Sequence, residues 1–209
     1  MAQFCERKWW KFYIKAKNTE QYLLWKKEYW RQLMLVILPH LPQYFKSKLK
    51  IADIGCGPSG IFLVLEEYFN EPNITAIDPL ISYYQTLSLN FPQQNIQYVT
   101  QKLEDNHSQN KYDIVFCINA INHVEHINIA INHLMSLTKS KGYIIFTTDA
   151  HNKKWLSKIF QMFPGDILHP QQLMLKEYLN YFRNCTIIHQ QTLAKNIIFE
   201  YKLCILQVH

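Results

Sequence analysis

The chain has 209 residues, 48% of them apolar, which fits one domain of ordinary size with a real core. Its formal charge of +6 is uneven: residues 1–50 carry 11 Lys and Arg against 3 acids, and residues 51–209 carry 11 against 13, so the excess positive charge belongs to the N-terminal segment. Apolar runs such as LMLVILP (33–39) and YIIFTT (143–148) fall well short of the ~20 residues of a membrane span. The N-terminus lacks a signal-peptide pattern, and the five scattered cysteines contain no C-x-x-C pair, which argues against a disulfide framework or a zinc site. The expectation is a soluble, cytoplasmic protein with reduced thiols and no membrane partner.

Residues 3–17 and 20–38 contain no Gly or Pro and repeat large apolar groups at helical intervals, predicting two amphipathic helices before the first strand. Pro39 and Pro42 end the second helix, and KSKLK leads into the strand IADI. GIFLVLEEYF then reads as a helix, NITAID as a strand, SYYQTLSLNF as a helix and IQYVTQ as a strand. YDIVFCINAI (strand), HINIAINHLMSLTK (helix) and GYIIFTTDA (strand) continue the alternation, which predicts a parallel sheet covered on both faces. The tail departs from this pattern: KKWLSKIFQMF and PQQLMLKEYLNYF read as helices, and CTIIHQQTL and NIIFEYKLCILQV as two consecutive strands. A terminal antiparallel hairpin would complete seven strands.

Three of the chain's five glycines, Gly55, Gly57 and Gly60, fall in IADIGCGPSG (51–60) at the spacing G-x-G-x-x-G, between a predicted strand and a predicted helix. In that context glycines permit a tight turn and let a ligand approach the backbone. The next strand ends in Asp78, where a carboxylate could accept hydrogen bonds from both ribose hydroxyls. Asp53 separates the possible cofactors, because an anionic pyrophosphate gains nothing from a carboxylate two residues before the first glycine. A cofactor with a primary ammonium and a sulfonium does gain.

Together, IADIGCGPSG and TAIDP (75–79) resemble the first motif and the ribose-binding strand end of the class I methyltransferases, over about residues 48–150. The resemblance implies a three-layer αβα, Rossmann-like, mostly parallel seven-stranded sheet, with S-adenosylmethionine as cofactor and S-adenosylhomocysteine as product. It places Gly55, Cys56, Gly57 and Gly60 along the methionine half and Asp53 on the ammonium through a hydrogen-bond network. Asp78, followed by Pro79, would hold the ribose. YVTQKLEDN offers Glu104 beside the adenine amine, with Lys102 where an Asp is common, and Ile81 and Leu103 as packing neighbours of the base.

CINAIN (117–122) lacks the Asn/Asp-Pro-Pro-aromatic run of enzymes that methylate exocyclic amines, yet it puts Asn119, Asn122 and His123 at the mouth of the site. NHVEH resembles the same segment in small-molecule methyltransferases of this class. His123, His151 and His169 are the candidate bases, with Asp149 placed to orient the His151 imidazole. His107, His189 and His209 read as solvated or incidental. His123 and His126 lack the carboxylates or H-E-x-x-H of a metal site, so no metal is expected.

Trp9, Trp10, Phe12, Tyr13, Tyr22, Trp25, Tyr29 and Trp30 interleave with Lys and Arg along the N-terminal helices. In the resembled family such an extension covers the cleft, which makes residues 1–47 a helical lid with Trp9, Tyr13 and Trp25 facing the acceptor. Residues 48–150 are then the cofactor-binding core, and 151–209 the acceptor-side helices and hairpin of the same single domain. The expected activity is methyl transfer to O or N of a small molecule, by a monomer or homodimer. A basic aromatic segment is also what an RNA- or protein-modifying enzyme could use, and that is the alternative. A noncatalytic binding module is opposed by the intact glycine loop.

Overall fold

A computed structural model describes residues 7, 8, 10, 12, 19–42, 48–87, 95–105, 111–162 and 170–209. Seven strands form one sheet: β1 (Lys50–Ile54), β2 (Asn73–Ile77), β3 (Ile96–Val99), β4 (Tyr112–Ile118), β5 (Thr138–His151), β6 (Cys185–Lys195) and β7 (Phe199–Val208). Their order is β3-β2-β1-β4-β5-β7-β6, parallel from β3 to β5 and antiparallel where β7 meets β5 and β6. The chain winds outward from β1 through β2 to β3, then returns to place β4 on the other side of β1. That reversal leaves a crevice at the C-terminal ends of β1 and β4, where ligands of open α/β sheets bind.

The helices are α1 (Thr19–Ile37), α2 (Ile81–Tyr84), α3 (Ile127–Leu137), α4 (Lys154–Met162) and α5 (Leu175–Leu179). Alternation along β4 shows how they cover the sheet. Ile114 and Phe116 face a core built with Trp30, Leu33, Met34 and Ile37 of α1, while Val115 and Cys117 face Ala130, Ile131 and Leu134 of α3, with Tyr178 of α5. Met34 and Ile37 are fully buried, each worth about 1.5–3 kcal/mol of transfer free energy. The expected N-terminal cover is therefore, over α1, an anchored wall. The first predicted helix, Trp9 and Tyr13 included, lies largely outside the described residues.

GIFLVLEEYF differs from its predicted helix. It forms two 3-10 turns, Ile61–Leu63 and Leu65–Glu67, closed by the Leu63 N–H on Gly60 O and the Glu67 N–H on Val64 O. Aromatic and β-branched residues weaken the α-helical alternative here, and the Asp53 carboxylate draws the Phe62 N–H to itself at 3.2 Å. Between β6 and β7 the Asn196 side chain accepts the N–H groups of Ile198 (2.8 Å) and Phe199 (2.7 Å), an Asx turn that fixes the hairpin.

Candidate functional site

At the crevice lies a cavity of about 720 Å³, walled by strand ends (Ile54, Ile77, Cys117, Ile118, Asp149, Tyr201) and the glycine loop, with Trp10, Trp25, Lys26, Tyr29 and Trp30 facing them. Gly55 and Gly57 turn the chain with φ of +65° and +59°, a left-handed backbone that side chains resist. A Cβ on Gly55 would meet the Ala120 Cβ at 2.4 Å, whereas one on Gly57 would meet Trp10 at 3.6 Å. Gly57 thus presents bare backbone to the cavity, and Gly55 lets the β1 and β4 loops close on each other. Gly60 serves a different purpose, since a Cβ there would sit 2.2 Å from Asp53 Oδ2.

Asp53 itself lies behind the loop, 1% exposed. Burial is the main influence on its carboxyl and raises it from 3.8 to about 7, the Phe62 N–H opposing and Asp78 adding to the rise. The folded chain consequently holds a proton between pH 3.8 and about 7 that the unfolded chain has released, and this group's contribution to stability falls as pH rises through that window. Asp53→Asn is expected to remove the slope. Between about pH 4 and about pH 8 the variant should gain on the parent by on the order of 2–4 kcal/mol in urea unfolding. Parallel stability curves would mean the carboxyl ionises at no cost.

Asp78 forms part of the cavity wall. Its Oδ2 accepts the Gly57 N–H at 3.0 Å and its Oδ1 the Leu80 N–H at 2.8 Å, so one carboxylate ties the glycine loop to the end of β2. Pro79, Cys56 and Leu103 are beside it in the wall, and burial pushes the Cys56 thiol well up, keeping it an inert neutral surface. Glu104 Oε1 accepts the Glu125 N–H at 2.7 Å, and Glu125 pairs with Lys102 at 3.2 Å. Asp78, Glu104, Glu125 and Asp149 against Lys26 and Lys102 give the wall an acidic balance suited to a cationic ligand.

The acceptor side departs from the sequence expectation. Asn119, with φ +51°, and His123 join the wall, but Asn122 is 1% exposed behind it. His151 is also behind the wall, packed on Phe160 and Phe199. The partner of its imidazole is Gln172, to whose Oε1 the His151 Nε2–H donates at 2.7 Å, in place of the expected Asp149. Asp149 does reach the cavity, as does Trp25. His169, Trp9 and Tyr13 lie outside the described residues, as does His107.

Sequence reasoning missed Tyr201. Antiparallel register sets it opposite Asp149, and its hydroxyl meets Thr147 Oγ1 at 2.6 Å and the Tyr29 hydroxyl at 3.3 Å. Thr147 Oγ1 also accepts the Asn119 N–H at 2.9 Å, so a hydroxyl chain runs from α1 through β7 and β5 to the end of β4. Burial drives the Tyr201 phenol far up, which keeps it a neutral donor. From α1, Tyr22 and Trp30 bond to Ser59 at 2.5 and 2.9 Å, while Lys26 Nζ lies 5.1–5.6 Å from the rings of Trp25, Tyr29 and Trp30. Among the described residues no three His, Cys, Asp or Glu side chains gather to hold a metal ion.

A family model described as "Methyltransferase domain" matches residues 24–196. A ubiquinone biosynthesis O-methyltransferase of Rickettsia akari (strain Hartford) is 36% identical over 110 residues, which is 52% of this chain and 43% of the relative. The enzyme of the same description from Rickettsia typhi is 35% identical over 111 residues, covering 52% and 44%. The chain thus spans less than half the length of these curated relatives. Among solved structures, a putative S-adenosylmethionine-dependent methyltransferase from Listeria monocytogenes superposes with TM-score 0.65 at 12% identity, covering 84% of this chain and 97% of that one. Geranyl diphosphate C-methyltransferase from Streptomyces coelicolor A3(2) gives 0.62 at 13% identity, covering 86% and 76%. At such identities the likeness is one of fold.

Proposed function

Since the chain belongs to the methyltransferase domain family matched over residues 24–196, we propose that it binds S-adenosylmethionine in the crevice and methylates an oxygen of a small-molecule acceptor. The observation that carries the reading is the bare Gly57 backbone beside the Asp78 carboxylate in an acidic wall. The O-methyltransferase relatives support oxygen as the accepting atom. When bound, the cofactor would supply a methyl on a sulfonium, leaving S-adenosylhomocysteine after transfer.

The residues divide the work by position. Gly55, Cys56 and Gly57 shape the methionine half, Asp78 and Pro79 the ribose half, and Leu103 and Glu104 the adenine half. A carboxylate oxygen has two lone-pair directions, so Asp78 can hold a backbone N–H and a ribose hydroxyl on the same atom. Asp53 sets the loop from behind through the Phe62 N–H, and a bound ammonium would favour its ionised form. Asn119, Trp25, Tyr29 and Tyr201 form the acceptor wall, and Asp149 and His123 are the groups there able to take a hydroxyl proton. Asn122 and His151 act one layer back, fixing that wall.

Methyl transfer from a sulfonium is an in-line displacement, so the protein contributes mainly orientation and exclusion of water. Parallel calorimetric titrations with S-adenosylmethionine, S-adenosylhomocysteine and NAD test the reading. Micromolar binding of the first two without NAD is the expected result, and binding of NAD alone would end it.

A further inference from the structure

Three hydroxyls from three elements meet at the acceptor wall. Tyr201 on β7 and Thr147 on β5 are diagonal neighbours across the antiparallel ladder, which brings their oxygens to 2.6 Å. Tyr29 on α1 reaches the same phenol oxygen at 3.3 Å. Thr147 is fully buried, whereas Tyr29 and Tyr201 line the cavity.

Counting protons fixes the direction of these bonds. Each hydroxyl brings one proton and two lone pairs, so three protons serve two links and one proton is left over. It is not the proton of Thr147. That oxygen already accepts the Asn119 N–H at 2.9 Å, and its other hydrogen bond among the described residues is the one to Tyr201. A buried Thr147 proton turned anywhere else would go unpaired, which is costly. Thr147 therefore donates to Tyr201, and the spare proton belongs to Tyr201 or Tyr29, at the cavity. Burial pushes the Tyr201 phenol far up, so its proton stays in place at ordinary pH.

The 2.6 Å link is short and firm, while the 3.3 Å link exceeds the roughly 3.0 Å reach of a good O–H···O bond. An oxygen set between the two phenols would replace that long link with two good ones. Thr147 would donate to Tyr201, and Tyr201 and Tyr29 would each donate to the newcomer, so that all three protons are used. Such an oxygen must bring lone pairs and no proton of its own. The reacting hydroxyl does not meet that condition, because it needs a lone pair for the methyl group and gives up its proton to Asp149 or His123. Asp149, paired opposite Tyr201, disfavours a carboxylate there.

We propose that Tyr29 and Tyr201 form a two-donor cradle for a neutral carbonyl oxygen of the acceptor, which makes the substrate a hydroxyl compound that also carries a ketone or a similar carbonyl. The inference rests on the reading of the crevice as the site of methyl transfer to oxygen. It adds what selects the acceptor: a molecule of the same shape without the carbonyl would leave two phenol protons at the wall without a shared partner.

The test is calorimetric titration of the full chain, loaded with S-adenosylhomocysteine, with 3-hydroxyacetophenone and with 3-ethylphenol, which has a methylene in place of the carbonyl. The ketone is expected to bind about tenfold tighter or more, from two neutral hydrogen bonds. Tyr201→Phe and Tyr29→Phe should each cut that preference about threefold or more, and the double variant should erase it. Titration of each variant with S-adenosylhomocysteine checks that the crevice is intact. A second readout uses the unaltered chain: in isotope-edited infrared spectra the carbonyl stretch of the bound ketone should lie below its position in water, because two phenol donors in a cavity of low dielectric bond it more strongly. Equal affinity for the two probes, no binding of the ketone, a stretch at or above the water value, or phenylalanine variants that keep the preference would overturn the proposal. A chain that fails to bind S-adenosylhomocysteine would instead defeat the cofactor reading beneath it.

Discussion

Gly55→Ala should destabilise the chain by about 2–4 kcal/mol and abolish measurable cofactor binding. Two costs add at this residue. The left-handed backbone, φ +65°, costs an L side chain about 1–2 kcal/mol, and the new methyl would sit 2.4 Å from the Ala120 Cβ. No rotamer relieves that contact, because neither methyl can turn away, so the β4 loop must retreat and take Asn119 and the hydroxyl chain with it. The second cost should be recovered by Ala120→Gly and the first should not. A double-mutant cycle by urea unfolding is expected to return a favourable coupling of about 1–2 kcal/mol. Strict additivity would show that the two loops do not press on each other.

Asp78→Ala should cost twice over, in ligand affinity and in stability. Loss of a charged acceptor for ribose hydroxyls should weaken S-adenosylmethionine by about 1–3 kcal/mol in calorimetry. The same substitution leaves the Gly57 and Leu80 N–H groups without their carboxylate; the Gly57 N–H faces the cavity and can turn to water, whereas the buried Leu80 N–H left unpaired costs about 1–3 kcal/mol. Asp78→Asn separates the effects, since one amide oxygen can still take one N–H while the NH2 group opposes the other. Its affinity loss should approach that of the alanine variant with a smaller loss of stability. Unchanged affinity in both variants would remove Asp78 from the ribose assignment.

The sheet was legible because its cues are local. Short apolar runs, the glycine bend after IADI and the two closing strands each announce themselves within about ten residues, and the seven strands appear where those cues stand. The apolar spacing of GIFLVLEEYF predicts one helix; a carboxylate seven or more positions upstream decides otherwise by capturing one N–H. The acceptor wall was the least legible. Tyr201 becomes a wall residue through pairing with Asp149, a register that composition and spacing do not encode. His151 sits at a strand end as expected, but Gln172, from a later segment, is the hydrogen-bond partner of its imidazole.

The ties from Tyr22 and Trp30 to Ser59 give α1 and the glycine loop a shared fate. Local opening of that helix cannot proceed without releasing the loop's Ser59, so the two should exchange their amide protons as one cooperative foldon even though more than twenty residues separate their centres. A ligand seated on the loop stabilises the whole of that unit by mass action. Occupancy of the cofactor site is thereby written into the protection of a helix whose core residues Leu33, Met34 and Ile37 stand outside the cavity wall.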